Sequence, residues 1–160
     1  LTIGNTPGTD SKMAEDKIKG YKNFANKIWN ITRFILESTK DTKYDQDFKN
    51  FAEADKKLIE ERDTFLTDIT LDMEEFRFYM AGEKIYHYAW NTLADVILED
   101  SKKVFIEGNE EFKNSRKQFL LSTLRTVLVV LHPFMPFVTE EVWQSINDKK
   151  SILMIEKWPK

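Results

Sequence analysis

Only two histidines, His87 and His132, and no cysteine stand among the 160 residues, so any catalytic or metal site has to be built around one imidazole or from carboxylates alone. Glu83 and His87 lie four apart, whereas a di-iron helix bundle needs Glu-x-x-His at i and i+3 on two helices and two more inward carboxylates. His87 therefore reads as a helix-surface residue. His132, next to Pro133 at a helix end, reads as a partner for the last carbonyls. The acidic pairs Glu110–Glu111 and Glu140–Glu141 are adjacent in sequence, which on a helix turns them about 100° apart, so they do not form facing acid and base. Their place near helix starts is explained by the macrodipole. Five glycines leave little from which to build a phosphate-cradling loop, and no nucleophile elbow or zinc signature is present.

A binding surface has better material. Between Ser11 and Leu36 the bases Lys12, Lys17, Lys19, Lys22, Lys27 and Arg33 face only Glu15 and Asp16, while Glu37 to Glu75 holds 13 acids against six bases. A net charge of −3 thus conceals one basic segment able to meet a polyanion, although a solvated helix face is the plainer reading of such a segment. Within it Phe24, Lys27, Ile31 and Phe34 recur at i, i+3, i+7 and i+10, offset from a second stripe through Ile18, Tyr21, Ala25, Ile28, Thr32 and Ile35. Such wide apolar coverage either packs on two neighbours or leaves an apolar and basic strip exposed. On the second reading an unstacked base lies on Phe34 while Lys27 meets polar or phosphate groups.

The elements that carry these residues follow from periodicity. A first helix spans Lys12 to Ser38, with Asp10 or Ser11 as its cap, and Thr39 to Asn50 reads as a loop. A second helix runs from Glu53 to about Phe76 through Leu58, Phe65, Ile69, Leu71 and Met73. A third, from Met80 to about Phe105, places Ile85, Tyr88, Ala89, Thr92, Leu93, Val96 and Ile97 inward before a Gly108–Asn109 stop. A fourth covers Glu110 to Leu131 and is ended by Pro133 and Pro136. A short fifth opens at Val138 or Thr139, with Thr139 the cap. The tail from Ser151 is β-prone at Ile152 to Ile155. The expected fold class is all-α: a bundle of four long helices plus a short fifth helix and a short extended tail. Residues 1–10, rich in Gly and Pro, read as an entry segment, 11–150 as the bundle and 151–160 as the tail. A start at Leu1 is what a fragment would show. No apolar run suggests a membrane span or signal peptide, and a cysteine-free chain fits a reducing, cytoplasmic setting.

The stretch NFANKIWNITRF from Asn23 resembles the opening helix of the anticodon-binding domain of valyl-tRNA synthetase. YHYAWNTLADVILEDSK from Tyr86 is similar to that family's Tyr-x-x-x-Trp helix. LHPFMPFVTEEVWQSI from Leu131 resembles a segment shared by class I synthetases of the valine, isoleucine and leucine group, and SILMIEKWP resembles the tail that follows. The resemblance implies a domain that grips the anticodon arm of valine tRNA. It implies no cofactor in this piece, ATP in a parent enzyme, and a catalytic body of the same chain as second partner, the whole monomeric. It also implies anticodon contacts at Lys27, Phe34 and Leu98; beside these, Lys19, Lys22 and Arg33 of the basic first helix are candidate tRNA contacts. Two departures stand out: Asp16 falls where the family has a base, and Ala94-Asp95-Val96-Ile97 replaces an aromatic-rich Cys-Asp-Trp-Tyr. The alternatives are the same domain of an isoleucyl- or leucyl-tRNA synthetase and a helical scaffold with no RNA role, in which Phe24 and Phe34 would both be buried. A metal-binding bundle is a more distant one.

Overall fold

The computed structural model describes residues 15–147 and 151–159. The entry segment, the expected caps Asp10 and Ser11, Lys12 and the side chain of Lys17 lie outside what it describes. Helix α1 covers Glu15–Ser38 and α2 covers Glu53–Glu74. A third rod follows in three successive pieces: α3 at Phe78–His87, a π-wound segment at Tyr88–Ile97, and α4 at Leu98–Glu107. Helix α5 covers Glu110–Leu131, α6 covers Pro136–Ile146, and a 3₁₀ turn closes Leu153–Ile155. No strand occurs among the described residues, as the all-α expectation required.

Helix α5 is the axis of the bundle. Phe119, Leu120, Leu124, Val127, Leu128, Val130 and Leu131 are buried on more than one side of it, and it packs on α1, α2, α3, α4, α6 and the tail turn. An all-round apolar helix is stable only when neighbours cover it. Its start is well specified: Asn109 Oδ1 accepts from the Phe112 amide at 2.9 Å, and Glu110 and Glu111 sit in the first turn. Gly108 just before it is required by space, since a Cβ there would lie 2.5 Å from the Val104 carbonyl oxygen. On α1 the two sequence stripes merge into one broad buried face of Phe24, Ile28, Ile31, Thr32 and Ile35, whereas Ile18 is exposed. Leu71 on α2, expected inward, is also half in solvent.

Polar groups on α5 tie down what periodicity left loose. Gln118 donates to the Lys43 carbonyl at 2.8 Å and accepts from the Asp45 amide at 3.0 Å, which fixes the Thr39–Asn50 loop. Arg116, buried, donates Nε to Asp55 at 2.5 Å and Nη1 to Asp100 at 2.9 Å and Ser101 at 3.0 Å, while Ser115 donates to the second oxygen of Asp55. One guanidinium thereby joins α2, α4 and α5. At the turn after α2, Asp72 is ion-paired with Arg77 at 2.7 Å and Lys84 at 2.8 Å. Burial alone would raise its carboxyl, but the hydrogen bonds and charges of Lys84 and Arg77 outweigh that and hold it below its ordinary value.

Several local expectations near the C-terminal end are corrected. Helix α6 opens at Pro136, whose fixed φ and missing N–H suit a first turn, so Pro136 starts a helix as well as standing beyond the previous one. Thr139 is then inside α6 and does not cap it; its hydroxyl donates to the Met135 carbonyl at 2.9 Å and lies 2.8 Å from His132 Nδ1. His132 therefore meets a side chain and not the terminal carbonyls. Glu140 does more than complement a dipole, since it accepts from the Leu153 amide at 3.0 Å and from Gln144. With Trp143 donating to Ser151 and Trp158 donating to Thr70, both through indole N–H, the tail is bound down and turns at Leu153–Ile155 instead of running as a strand.

Arg116→Ala strands the Asp55 carboxylate in the interior and should cost roughly 3–5 kcal/mol in urea unfolding at neutral pH. A loss below 1 kcal/mol would show that the cluster does not bind the three helices together. Asp72 stabilises the fold fully above the unfolded carboxyl value of 3.8, and this contribution is lost as pH falls through the lower folded value. The stability gap between wild type and Asp72→Asn should thus be widest near neutral pH and narrow below 3.8.

Candidate nucleic-acid interface

The seam between α1 and the third rod is shaped by how that rod is wound. Buried residues come in pairs, Tyr88 with Ala89 and then Leu93 with Ala94, a step of five that matches i→i+5 winding; the next pair, Ile97 with Leu98, follows after four. A straight 3.6-residue period would have put Val96 in the core. Instead Val96 is 61% exposed and Thr92 is half-buried. The same winding stacks Trp90 and Asp95, five residues apart, on one side. Both reach Lys27 of α1: its Nζ is 2.8 Å from Asp95 Oδ1 and 5.1 Å from the centre of the Trp90 ring. Trp90 in turn stacks at 5.7 Å on Tyr86 and at 6.2 Å on Phe24, so the indole that supports Lys27 is itself braced.

Next to this pair a cleft of about 640 Å³ opens along the seam. Ala94 and Leu98, both buried, form its floor, and half-buried Phe34 with Ile31 forms the α1 wall. Lys102 Nζ stands 5.8 Å from the centre of the Phe34 ring and 2.6 Å from Glu99. Arg33, also in the lining, donates to Asn30 at 3.2 Å. Glu37 completes the rim; the hydrogen bond from Lys40 holds its carboxyl below the ordinary range, so it stays charged. The cleft offers an aromatic wall, an aliphatic floor, two lysines matched by carboxylates, and Arg33 held by a neutral amide.

Four of the six anticipated contact residues, Lys27, Arg33, Phe34 and Leu98, thus line one cleft. Lys19 and Lys22 do not. Both are exposed on α1, Lys19 beside Glu15 at 3.1 Å, and Lys22 lies about 18 Å along the helix axis from Phe34. Asp16 is likewise exposed, in the first turn of α1. The buried state expected of Phe24 by a scaffold reading is found, but Phe34 remains half open. Sequence reasoning gave no role to Trp90, Asp95 or Lys102. Lys102 was within reach of it, being four residues after Leu98 on one face; the step from Trp90 to Asp95 belongs to no 3.6-residue stripe.

A second cleft, of about 650 Å³, lies between α2 and the third rod, where Phe65 stacks on Tyr88 at 4.2 Å. Its charged lining is Glu61, Asp68, Glu83 and Lys84, with His87 at 3.9 Å from Glu83, a field that repels a polyanion. Among the described residues no helix is long and apolar enough to cross a membrane.

The described residues form an all-helical bundle with an aromatic seam flanked by charged side chains, and comparison with known proteins defines its class. Residues 55–160 match the family described as the anticodon-binding domain of tRNA ligase, and the chain belongs to that family. It is 34% identical over 162 residues to a valine–tRNA ligase of Clostridium tetani, covering 99% of this chain. It is 35% identical over 161 residues to that of Listeria innocua and 34% over 160 residues to that of Pelagibacter ubique. The chain spans 18% of the length of these relatives. Lys27 and Phe34 lie before the matched family span, within the 99% of the chain aligned to the first two relatives.

The winding of the third rod is open to a direct check. Val96→Lys should change stability by less than about 0.5 kcal/mol, as an exposed position does, whereas Leu93→Lys should abolish cooperative unfolding. Equal damage at both positions in thermal unfolding would contradict a five-residue step.

Proposed function

We propose that this chain is the anticodon-gripping piece of a longer valine–tRNA ligase and binds the anticodon arm of valine tRNA in the seam between α1 and the third rod. The observation that carries the reading is the half-open Phe34 ring, set between Lys102 and the Leu98 floor. An unstacked loop base gains a π face there together with a nearby cation, the recurrent chemistry of single-stranded RNA recognition. Family membership supports tRNA as the partner, and the shared name of the relatives supports valine. Arg33 at the rim and Lys19 and Lys22 further along α1 are suited to backbone phosphates, which position the arm without reading it. The piece makes and breaks no bond. Its contribution to aminoacylation is to hold one end of the tRNA so that the acceptor end is oriented in a catalytic body elsewhere in the chain, where ATP is used. The working unit is a monomer in the cytoplasm.

Fluorescence anisotropy of the chain with labelled RNA hairpins tests this. The valine anticodon hairpin should bind more tightly than isoleucine or leucine hairpins, with affinity falling as salt rises. Phe34→Ala should weaken it by roughly tenfold, the scale of one lost base stack. Equal binding of all three hairpins would remove the valine assignment, and unchanged affinity in Phe34→Ala would remove the site.

A further inference from the structure

The cleft between α2 and the third rod has features that a solvated acidic face lacks. Phe65 stacks on Tyr88 at 4.2 Å, and with half-buried Met80 they make an apolar wall in a volume of about 650 Å³. Tyr88 is 8% exposed, yet its hydroxyl, shut off from solvent, has no hydrogen-bond partner among the described residues. A buried hydroxyl in that state is costly. Burial pushes its titration well above the ordinary tyrosine value, so it stays neutral and can both accept and donate. The carboxylates around it are poorly matched. Arg62 is spent on Asp63 at 3.0 Å and on Ser122 at 3.0 Å, which leaves Glu61 without an ion pair among the described residues. Lys84 stands 2.8 Å from buried Asp72 but 4.0 Å from Asp68, and Glu83 has only His87, at 3.9 Å.

These carboxylates are dispersed along the cleft. Glu61 and Asp68 lie two turns apart on α2, about 10 Å along its axis, and Glu83 faces them from the third rod. Among the described residues no three acidic or histidine side chains converge as a metal ion requires. A cation that neutralises both ends must therefore be long, and its middle must suit apolar walls. An aliphatic polyamine has that form, with ammonium groups separated by runs of methylenes. We propose that this cleft binds an aliphatic polyamine, with one terminal ammonium at Glu61, the other at Asp68 and Glu83, and the methylene chain along Phe65, Met80 and Tyr88. The Tyr88 hydroxyl accepts from the ammonium at the Glu61 end. None of these residues lines the α1 seam, so the site stands independently of the proposed RNA contact.

Isothermal titration calorimetry of the chain without RNA tests this, with spermidine as the probe and ionic strength held constant. Spermidine should bind one to one, and more tightly than n-butylamine or Mg²⁺. Glu61→Gln should weaken it by roughly tenfold, the scale of one lost charged hydrogen bond, whereas Glu110→Gln, at the exposed start of α5, should leave it unchanged. Tyr88→Phe separates a binding role from a structural one. It removes a hydroxyl that has no partner, so the Tm without spermidine should be equal or higher, while the rise in Tm that spermidine produces should shrink. An unchanged rise in Tyr88→Phe would overturn the assignment of the hydroxyl. Absence of saturable spermidine binding, equal binding of Mg²⁺, or equal losses in Glu61→Gln and Glu110→Gln would overturn the site. An arginine-rich peptide that is lost in Glu61→Gln, with spermidine inert, would make the cleft a protein-docking surface instead. None of these outcomes bears on the RNA reading, since no RNA is present.

Discussion

The third helical rod has to satisfy two demands that one regular helix does not meet. It must keep Ile85, Ala89 and Leu93 in the core and also keep Leu98 and Ser101 inward toward α1 and the Arg116 cluster further along. A straight helix of 3.6 residues per turn drifts relative to such a face, and the i→i+5 winding of Tyr88–Ile97 resets it. The seam against α1 depends on that reset. It places Leu98 as a floor, moves Val96 to solvent and brings Trp90 and Asp95 together at Lys27. Around it the bundle is held rigid by α5, through apolar packing on six elements and by Arg116 and Gln118 at its polar end. A site built on braced helices of this kind holds its side chains in place before a ligand arrives, which spares the cost of ordering them on binding.

Charge in the seam is balanced and not simply positive. Lys27 faces Asp95, Lys102 faces Glu99 and Glu37 faces Lys40, while Arg33 is held by the neutral Asn30. A surface meant to attract any polyanion would leave the lysines unmatched, as the basic run from Ser11 to Leu36 suggested. The Phe34 ring is thus flanked mainly by paired charges. The cleft between α2 and the third rod, with Glu61, Asp68 and Glu83, carries a charge that disfavours a polyanion.

Helix count, type and most boundaries were legible in the sequence because the relevant signals are local. Asn109 with Glu110 and Glu111 marks the start of α5, and Leu131 before Pro133 marks its end. The resemblance carried by NFANKIWNITRF located Lys27 and Phe34 on one face, and both stand at the cleft. What was not legible depends on partners distant in sequence. The placing of Val96, the pairing of Lys27 with Asp95 and the pinning of the tail by Glu140 and Thr70 are all tertiary choices. The β-prone run Ile152 to Ile155 turned instead of extending, because Leu153 is buried, its amide is bound by Glu140, and no strand among the described residues is there to pair with it. Pro136 was read as a stop and is a start, since the same missing N–H serves either end of a helix.

The central claim is that RNA sits on the seam between α1 and the third rod. It is tested most directly by nuclear magnetic resonance of the isotopically labelled chain during titration with the valine anticodon hairpin. The largest shifts should fall on the Trp90 indole N–H, the Phe34 and Leu98 side chains and the Lys27 and Lys102 backbone amides, with Glu61, Asp68 and His87 unmoved. Shifts concentrated in the acidic cleft, or spread evenly over α1 with none at Phe34 and Leu98, would contradict it.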